Sequence, residues 1–242
     1  MSASYNTDDQ WPSDTGLEAF RRAIPADEKS IYRFFYEVNR ERIRVRKAET
    51  AIPNLQCILE ATFRMSAECG FHAMSLRDLC SATGLSMGGM YSYISSKDEL
   101  CAMITEFVGG FFAEINLDLL PPQEAPQARL ETLIRAHIYM SELFRPWYFF
   151  VYMESKNLPR EHRQQAISVE RHFLRQLEPL IARGMEAGRY QKGNSYLSAA
   201  AVLSLIQDWY VKSWHFRDTK IDAQSYADFV VEMSNKMLAA RD

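Results

Sequence analysis

Few residues in this chain are arranged for bond-making chemistry. The histidines are His72, His137, His162, His172 and His215, and none stands in a metal-binding spacing such as His-Glu-x-x-His. There is no Gly-x-Ser-x-Gly elbow, no phosphate-binding glycine loop and no recognisable Cys/His pairing. Cys57, Cys69, Cys80 and Cys101 form no Cys-x-x-Cys pair and fall on predicted helices, which reads as reduced thiols in a cytoplasmic protein. No catalytic residue, metal or cofactor is expected, and the pattern speaks against an enzyme.

The residues whose types and spacing do suggest recognition lie between Ser75 and Leu100, SLRDLCSATGLSMGGMYSYISSKDEL. Leu76, Leu79 and Cys80 share one helical face, with Ser75 as cap and Asp78 as its capping-box partner three residues on. Gly84 sits where a left-handed backbone angle is needed, and Ser86 suits the cap of a second helix. Two short helices around such a turn make a helix-turn-helix, whose second helix enters a DNA major groove.

The elements that must position this motif are helical throughout. From Asp27 to Lys47, Ile31, Phe34, Phe35 and Val38 recur at helical spacing, predicting an amphipathic helix that also carries Arg40, Arg42, Arg44, Arg46 and Lys47. Pro53 fits the first turn of the next helix, Asn54–Cys69, with Ile58, Leu59, Thr62, Phe63 and Met65 inward and Gly70 as its end. Another helix starts near Ser96 and runs through Phe107, Val108, Phe111 and Phe112 toward Leu120. Pro121, Pro122 and Pro126 mark a loop. Further helices are predicted at Gln127–Phe144, Trp147–Asn157, Glu161–Glu186, Ser195–Arg217 and Asp222–Ala240. The fold class is therefore all-α, without repeats.

The chain's 242 residues suffice for a sizeable core, and 47% hydrophobic and 12% aromatic residues mark a globular protein. Net charge is −3, so nucleic acid must be met by local basic clusters. No apolar run is long enough to span a bilayer, and no membrane partner is expected. The start, MSASYNTDDQWPSDTG, is polar and acidic; it reads as disordered and not as a secretory signal.

The stretch from Asn54 to Leu100 resembles the DNA-binding domain of the TetR family of bacterial transcriptional regulators. The resemblance rests on Gly70-Phe71, Ser75-Leu76-Arg77-Asp78-Leu79, Gly84-Leu85-Ser86, Gly88-Gly89-Met90-Tyr91-Ser92-Tyr93-Ile94 and Ser96-Lys97-Asp98-Glu99-Leu100. It implies that Ser75, Tyr91, Tyr93 and Lys97 meet phosphates, while Ser86, Met87, Gly88, Gly89 and Ser92 face the groove. Arg77 reaches a base edge or a phosphate. The recognition helix lacks the Arg, Asn or Gln that make bidentate base contacts, so direct readout should be modest. Residues 1–52 extend beyond the family pattern. Arg44, Arg46 and Lys47 either contact DNA or form the solvated face of a helix packed on the body.

The resemblance further implies a helical body in which the last two helices pair with a second copy as a homodimer. Ala199, Val202, Leu203, Ile206 and Tyr210 give one apolar stripe, and Phe229, Val230, Met233 and Met237 give another. Aromatics at Phe107, Phe111, Trp147, Tyr148, Tyr152, Phe173 and Trp209, with Leu177, are candidates to line a cavity for a small apolar or amphipathic ligand such as a fatty acid or acyl thioester. The expected order is an extension (1–52), a helix-turn-helix domain (53–100) and a ligand-binding and dimerisation domain (101–242). The expected function is a ligand-responsive repressor on pseudo-palindromic double-stranded DNA. The alternative is a helical interaction module with a vestigial DNA-binding domain.

Overall fold

A computed structural model describes residues 11–24, 27, 30–118, 125–154 and 160–240. The polar start through Gln10, Leu120, Pro121, Pro122 and the predicted helix end at Asn157 lie outside the described residues. Every regular element among those described is helical. The helices are α1 (Leu17–Ala23), α2 (Ser30–Val38), α3 (Ala48–Cys69), α4 (Leu76–Thr83), α5 (Met87–Met90), α6 (Lys97–Asp118), α7 (Pro126–Leu143), α8 (Arg145–Glu154), α9 (Arg160–Glu186), α10 (Ser195–Val211) and α11 (Ala223–Leu238). No described helix is long and apolar enough to cross a membrane.

The chain forms two compact units. One holds residues 26–111 and 146–169, the other 1–25, 112–145 and 170–242. These units cut across the expected order of extension, helix-turn-helix and body. The extension is shared between them, and α8 belongs with the helix-turn-helix.

In the first unit α3 is the central element. It begins at Ala48, with Pro53 inside it, and not at Pro53 as the sequence suggests. A proline this close to a helix start forfeits one backbone hydrogen bond. Ile58, Leu59, Thr62 and Phe63 are buried, and Gly70 ends the helix at φ 83° with its N–H on Ser66 O at 2.9 Å. Around α3 the rings of Phe35 (α2), Phe63 (α3), Phe107 (α6) and Trp147 (α8) meet, with Trp147 centroids 5.6, 4.9 and 5.2 Å from the three phenylalanines. Phe150 bridges Phe63 and Phe71.

The expected basic helix over Asp27–Lys47 is corrected. Helix α2 ends at Val38, a turn follows, and residues 43–47 run extended. Arginine at every second position, with Ile43 and Val45 between, is the two-residue period of extended chain, and β-branched residues favour it. Ile43 is wholly buried while Arg44 and Arg46 are exposed.

In the second unit α7, α10 and α11 pack on one another, and α1 lies on α7. The segment before α1 is ordered from Trp11, which corrects the disordered start expected through Gly16. Trp11 is buried against Phe20 and Tyr139, at 4.9 and 5.9 Å, and Tyr139 Oη donates to Thr15 O at 3.0 Å. Burial of a large indole supplies the ordering that the polar composition around it hides. Helix α10 stops at Val211, short of Arg217, and Asp222 caps α11 by accepting from Ser225 N at 2.8 Å.

Candidate nucleic-acid interface

The helix-turn-helix is assembled by its caps. Ser75 Oγ accepts from Asp78 N at 3.2 Å, and Asp78 Oδ2 accepts from Ser75 N at 2.8 Å and from Ser75 Oγ at 2.6 Å. Those bonds hold the Asp78 carboxyl below its usual range. The Ser75 hydroxyl proton is thereby given to a carboxylate, so a phosphate at Ser75 would compete with Asp78. Gly84 takes the left-handed conformation, φ 73° and ψ 5°, and closes α4 with its N–H on Cys80 O.

Beyond the turn, Ser86 Oγ accepts from Gly89 N at 3.1 Å and starts α5. The recognition helix is a single turn, Met87–Met90, continued by turns through Tyr93. Gly88-Gly89 explains its brevity, since each glycine weakens a helix by about 1 kcal/mol relative to alanine. Met90 and Leu79 are buried and join α5 to α4. The outer surface carries Ser86, Gly88 and Tyr91, all exposed, with Met87, Gly89 and Ser92 half-buried. A Cβ placed on Gly88 would meet nothing within 4 Å. Met87 Sδ rests 3.4 Å from Cys80 Sγ. Arg77 is exposed on α4.

The two tyrosines differ. Tyr91 is 44% exposed, whereas Tyr93 is 3% exposed and its hydroxyl accepts from Asn54 Nδ2 at 2.8 Å. Lys97, at the start of α6, donates to the carbonyls of Phe71, His72 and Met74 at 2.8, 2.9 and 2.6 Å and lies over the Phe71 ring. From the opposite side Glu154, the only acid of α8, accepts from Phe71 N at 3.3 Å and Ser66 Oγ at 3.0 Å. The turn that leads into Ser75 is thus clamped by a cation on its carbonyls and an anion on its N–H. Sequence reasoning missed Glu154 and Asn54. The one available signal was a lone acid inside the aromatic helix. Cys101 sits in this region, and burial pushes its thiol up to about 12, which keeps it protonated and unreactive.

The expected cavity residues do not share one unit. Phe107, Phe111, Trp147, Tyr148 and Tyr152 belong to the first unit, and Phe173, Leu177 and Trp209 to the second. Phe107 stacks on Phe111 at 4.9 Å, and Tyr152 is 42% exposed. In the second unit Phe173 meets the buried His137 ring at 4.2 Å. Trp209 stacks on Tyr226 at 4.9 Å and donates to Glu142 Oε2 at 2.9 Å, while Arg145 pairs with the same carboxylate.

A capped helix-turn-helix with a bare, exposed second helix, followed by an all-helical body, defines a DNA-binding regulator. Residues 58–104 match the bacterial regulatory proteins of the tetR family, and residues 123–238 match the tetracyclin repressor-like C-terminal domain. The chain is 21% identical over 182 residues to the fatty acid metabolism regulator protein of Bacillus subtilis (strain 168), covering 75% of this chain and 93% of that one. A regulatory protein in the tetR family from Rhodococcus RHA1 shares the fold at TM-score 0.68 and 22% identity, over 76% of this chain and 96% of that one. AibR, solved in complex with isovaleryl coenzyme A and operator DNA, shares it at TM-score 0.66 and 20% identity, over 74% and 97%. The chain belongs to the TetR family of bacterial transcriptional regulators.

Proposed function

We propose that the protein is a ligand-responsive repressor that binds a pseudo-palindromic operator in the cytoplasm as a homodimer. The observation that carries this reading is the recognition helix. Ser86, Gly88 and Tyr91 stand exposed on a turn of helix that caps at both sides fix in place. Met87 and the Gly88-Gly89 backbone approach the base edges, with Ser92 beside them, and Tyr91 holds a flanking phosphate. Arg77 adds a contact from α4.

For the dimer, the stripe Ala199, Val202, Leu203, Ile206 and Tyr210 is unsuitable, because all five are buried in the unit's own core. The face that remains is Phe229, 49% exposed, with Met233 and Met237 at i+4 and i+8 on α11. A symmetric pairing there sets two recognition helices on one face of DNA.

The effector is apolar or amphipathic, and an acyl thioester fits both the aromatic lining and the relatives' printed ligands. Within the C-terminal match lie Trp147, Tyr148, Tyr152, Phe173, Leu177 and Trp209, while Phe107 and Phe111 lie outside it. Such a ligand releases DNA only by its difference in affinity between the bound and free conformations.

The test is selection of duplexes from random DNA at near-physiological salt, followed by titration of the complex with short- and long-chain acyl-coenzyme A. Enrichment of a pseudo-palindrome, released by one of these thioesters, is expected. Binding without sequence preference would refute the operator. Release by none of them would refute the effector class.

A further inference from the structure

The arginines between α2 and α3 are not equivalent. Arg40 pairs with Glu37 at 3.5 Å and Arg42 with Glu106 at 2.8 Å. Arg46 donates to the carbonyl of Arg40 at 2.6 Å. Arg44 and Lys47 are exposed, and among the described residues neither has an acidic partner within 4 Å.

The segment that carries them is firmly held. Its first residue, Ile43, is wholly buried and bonded through its N–H to Asn39 O at 3.1 Å. The buried Tyr36 shares its hydroxyl proton between Val45 O and Arg46 O, at 3.2 and 2.9 Å. Lys47 O receives Thr50 N and Ala51 N, which begins α3. Most tellingly, Arg44 N donates to Ser92 O at 2.9 Å. Ser92 closes the recognition helix, with its N–H on Gly89 O and its Oγ on Gly88 O. One backbone hydrogen bond therefore joins the strap to the element that faces the groove.

We propose that residues 43–47 form a second DNA-contacting element, in which Arg44 and Lys47 bind phosphates of the strand that borders the groove entered by the recognition helix. The inference rests on the DNA-binding reading above and deepens it. A duplex strand carries a phosphate at every step along the groove edge, so a cation tied to the end of a groove-bound helix meets one. The recognition helix, Met87-Gly88-Gly89-Met90, has no cation of its own, and the chain's net charge is −3. Affinity must then come from local cations, and these two are unpaired and pre-positioned. Little conformational freedom remains to be lost on binding.

The experiment compares two double variants of the full chain on the duplex selected with the wild-type protein. Arg44→Ala with Lys47→Ala removes the unpaired cations. Arg40→Ala with Arg42→Ala removes the same charge from residues already paired to acids. Affinity is measured across salt, and thermal melts report folding. Two lost phosphate contacts at about 0.9 each predict that the first variant lowers the slope of log affinity against log salt by about 1.8. The second should change it by less than half of that. The selected sequence should stay the same. Equal slope changes in both variants, or none in the first, would overturn the proposal. Altered base preference at flanking positions would also overturn it, in favour of base reading in the minor groove. A wild-type protein that binds no DNA selectively would instead refute the operator reading, before the strap is tested.

Discussion

The ammonium of Lys97 has three protons to donate, and the carbonyls of Phe71, His72 and Met74 lie within 2.9 Å of it. No donor is left for a phosphate, although the family pattern places one there. We expect Lys97→Met, which keeps the stem, to cost about 2 kcal/mol in urea unfolding, as loss of charged hydrogen bonds does. The salt slope of DNA binding should change by less than about 0.5. A slope lower by about 1 with unchanged stability would restore the phosphate role. His137 is a second residue whose surroundings decide its chemistry. It is buried on α7 against Phe173, and desolvation lowers its pKa to about 3, from about 6.5 in unfolded chains. The folded state then binds fewer protons than the unfolded state between those values. Its contribution to stability is full above about pH 6.5 and is lost as pH falls toward 3, at up to about 1.4 kcal/mol per pH unit. His137→Leu should flatten this acid limb relative to wild type in denaturant titrations. Parallel wild-type and variant curves would show that His137 is not desolvated.

At the scale of elements, the helix-turn-helix was legible because local chemistry encodes it. Ser75 and Asp78, Gly84, and Ser86 each act within four residues, and each stands where the sequence places it. The strap at 43–47 was misread as helix because apolar spacing through Val38 suggested continuation, while the two-residue arginine period was overlooked. The α3 start was misread because Pro53 suits a first turn, yet packing of Ala51 and Leu55, both wholly unexposed, carries the helix back to Ala48. Within the recognition helix, Gly88 separates folding from binding. Its Cβ direction is open, so Gly88→Ala should leave stability equal or raise it by up to about 1 kcal/mol. If the backbone there lies close to the bases, the added methyl lowers affinity for the selected duplex, and we expect a loss of about tenfold. Unchanged affinity in a binding titration would place Gly88 away from the groove.

At the scale of the molecule, composition announced an aromatic interior but not its division. The expected cavity residues split between two units, because helix periodicity shows which residues turn inward and not which neighbours they meet. The same limit applied to the dimer stripe on α10, where Val202 and Ile206 face their own core. Phe229 is different: it is half-exposed on α11 and heads the line of Met233 and Met237. A large ring left in water is the usual mark of a surface meant to be covered. Phe229→Glu would bury two like charges near a symmetry axis, where each side chain approaches its own copy. The variant should therefore run as a monomer by light scattering at micromolar concentration, with helical circular dichroism retained because the side chain lies outside the core. Its affinity for the full palindrome should fall toward that for a half-site, since one subunit supplies one recognition helix. A variant that remains dimeric would move the interface off this face of α11.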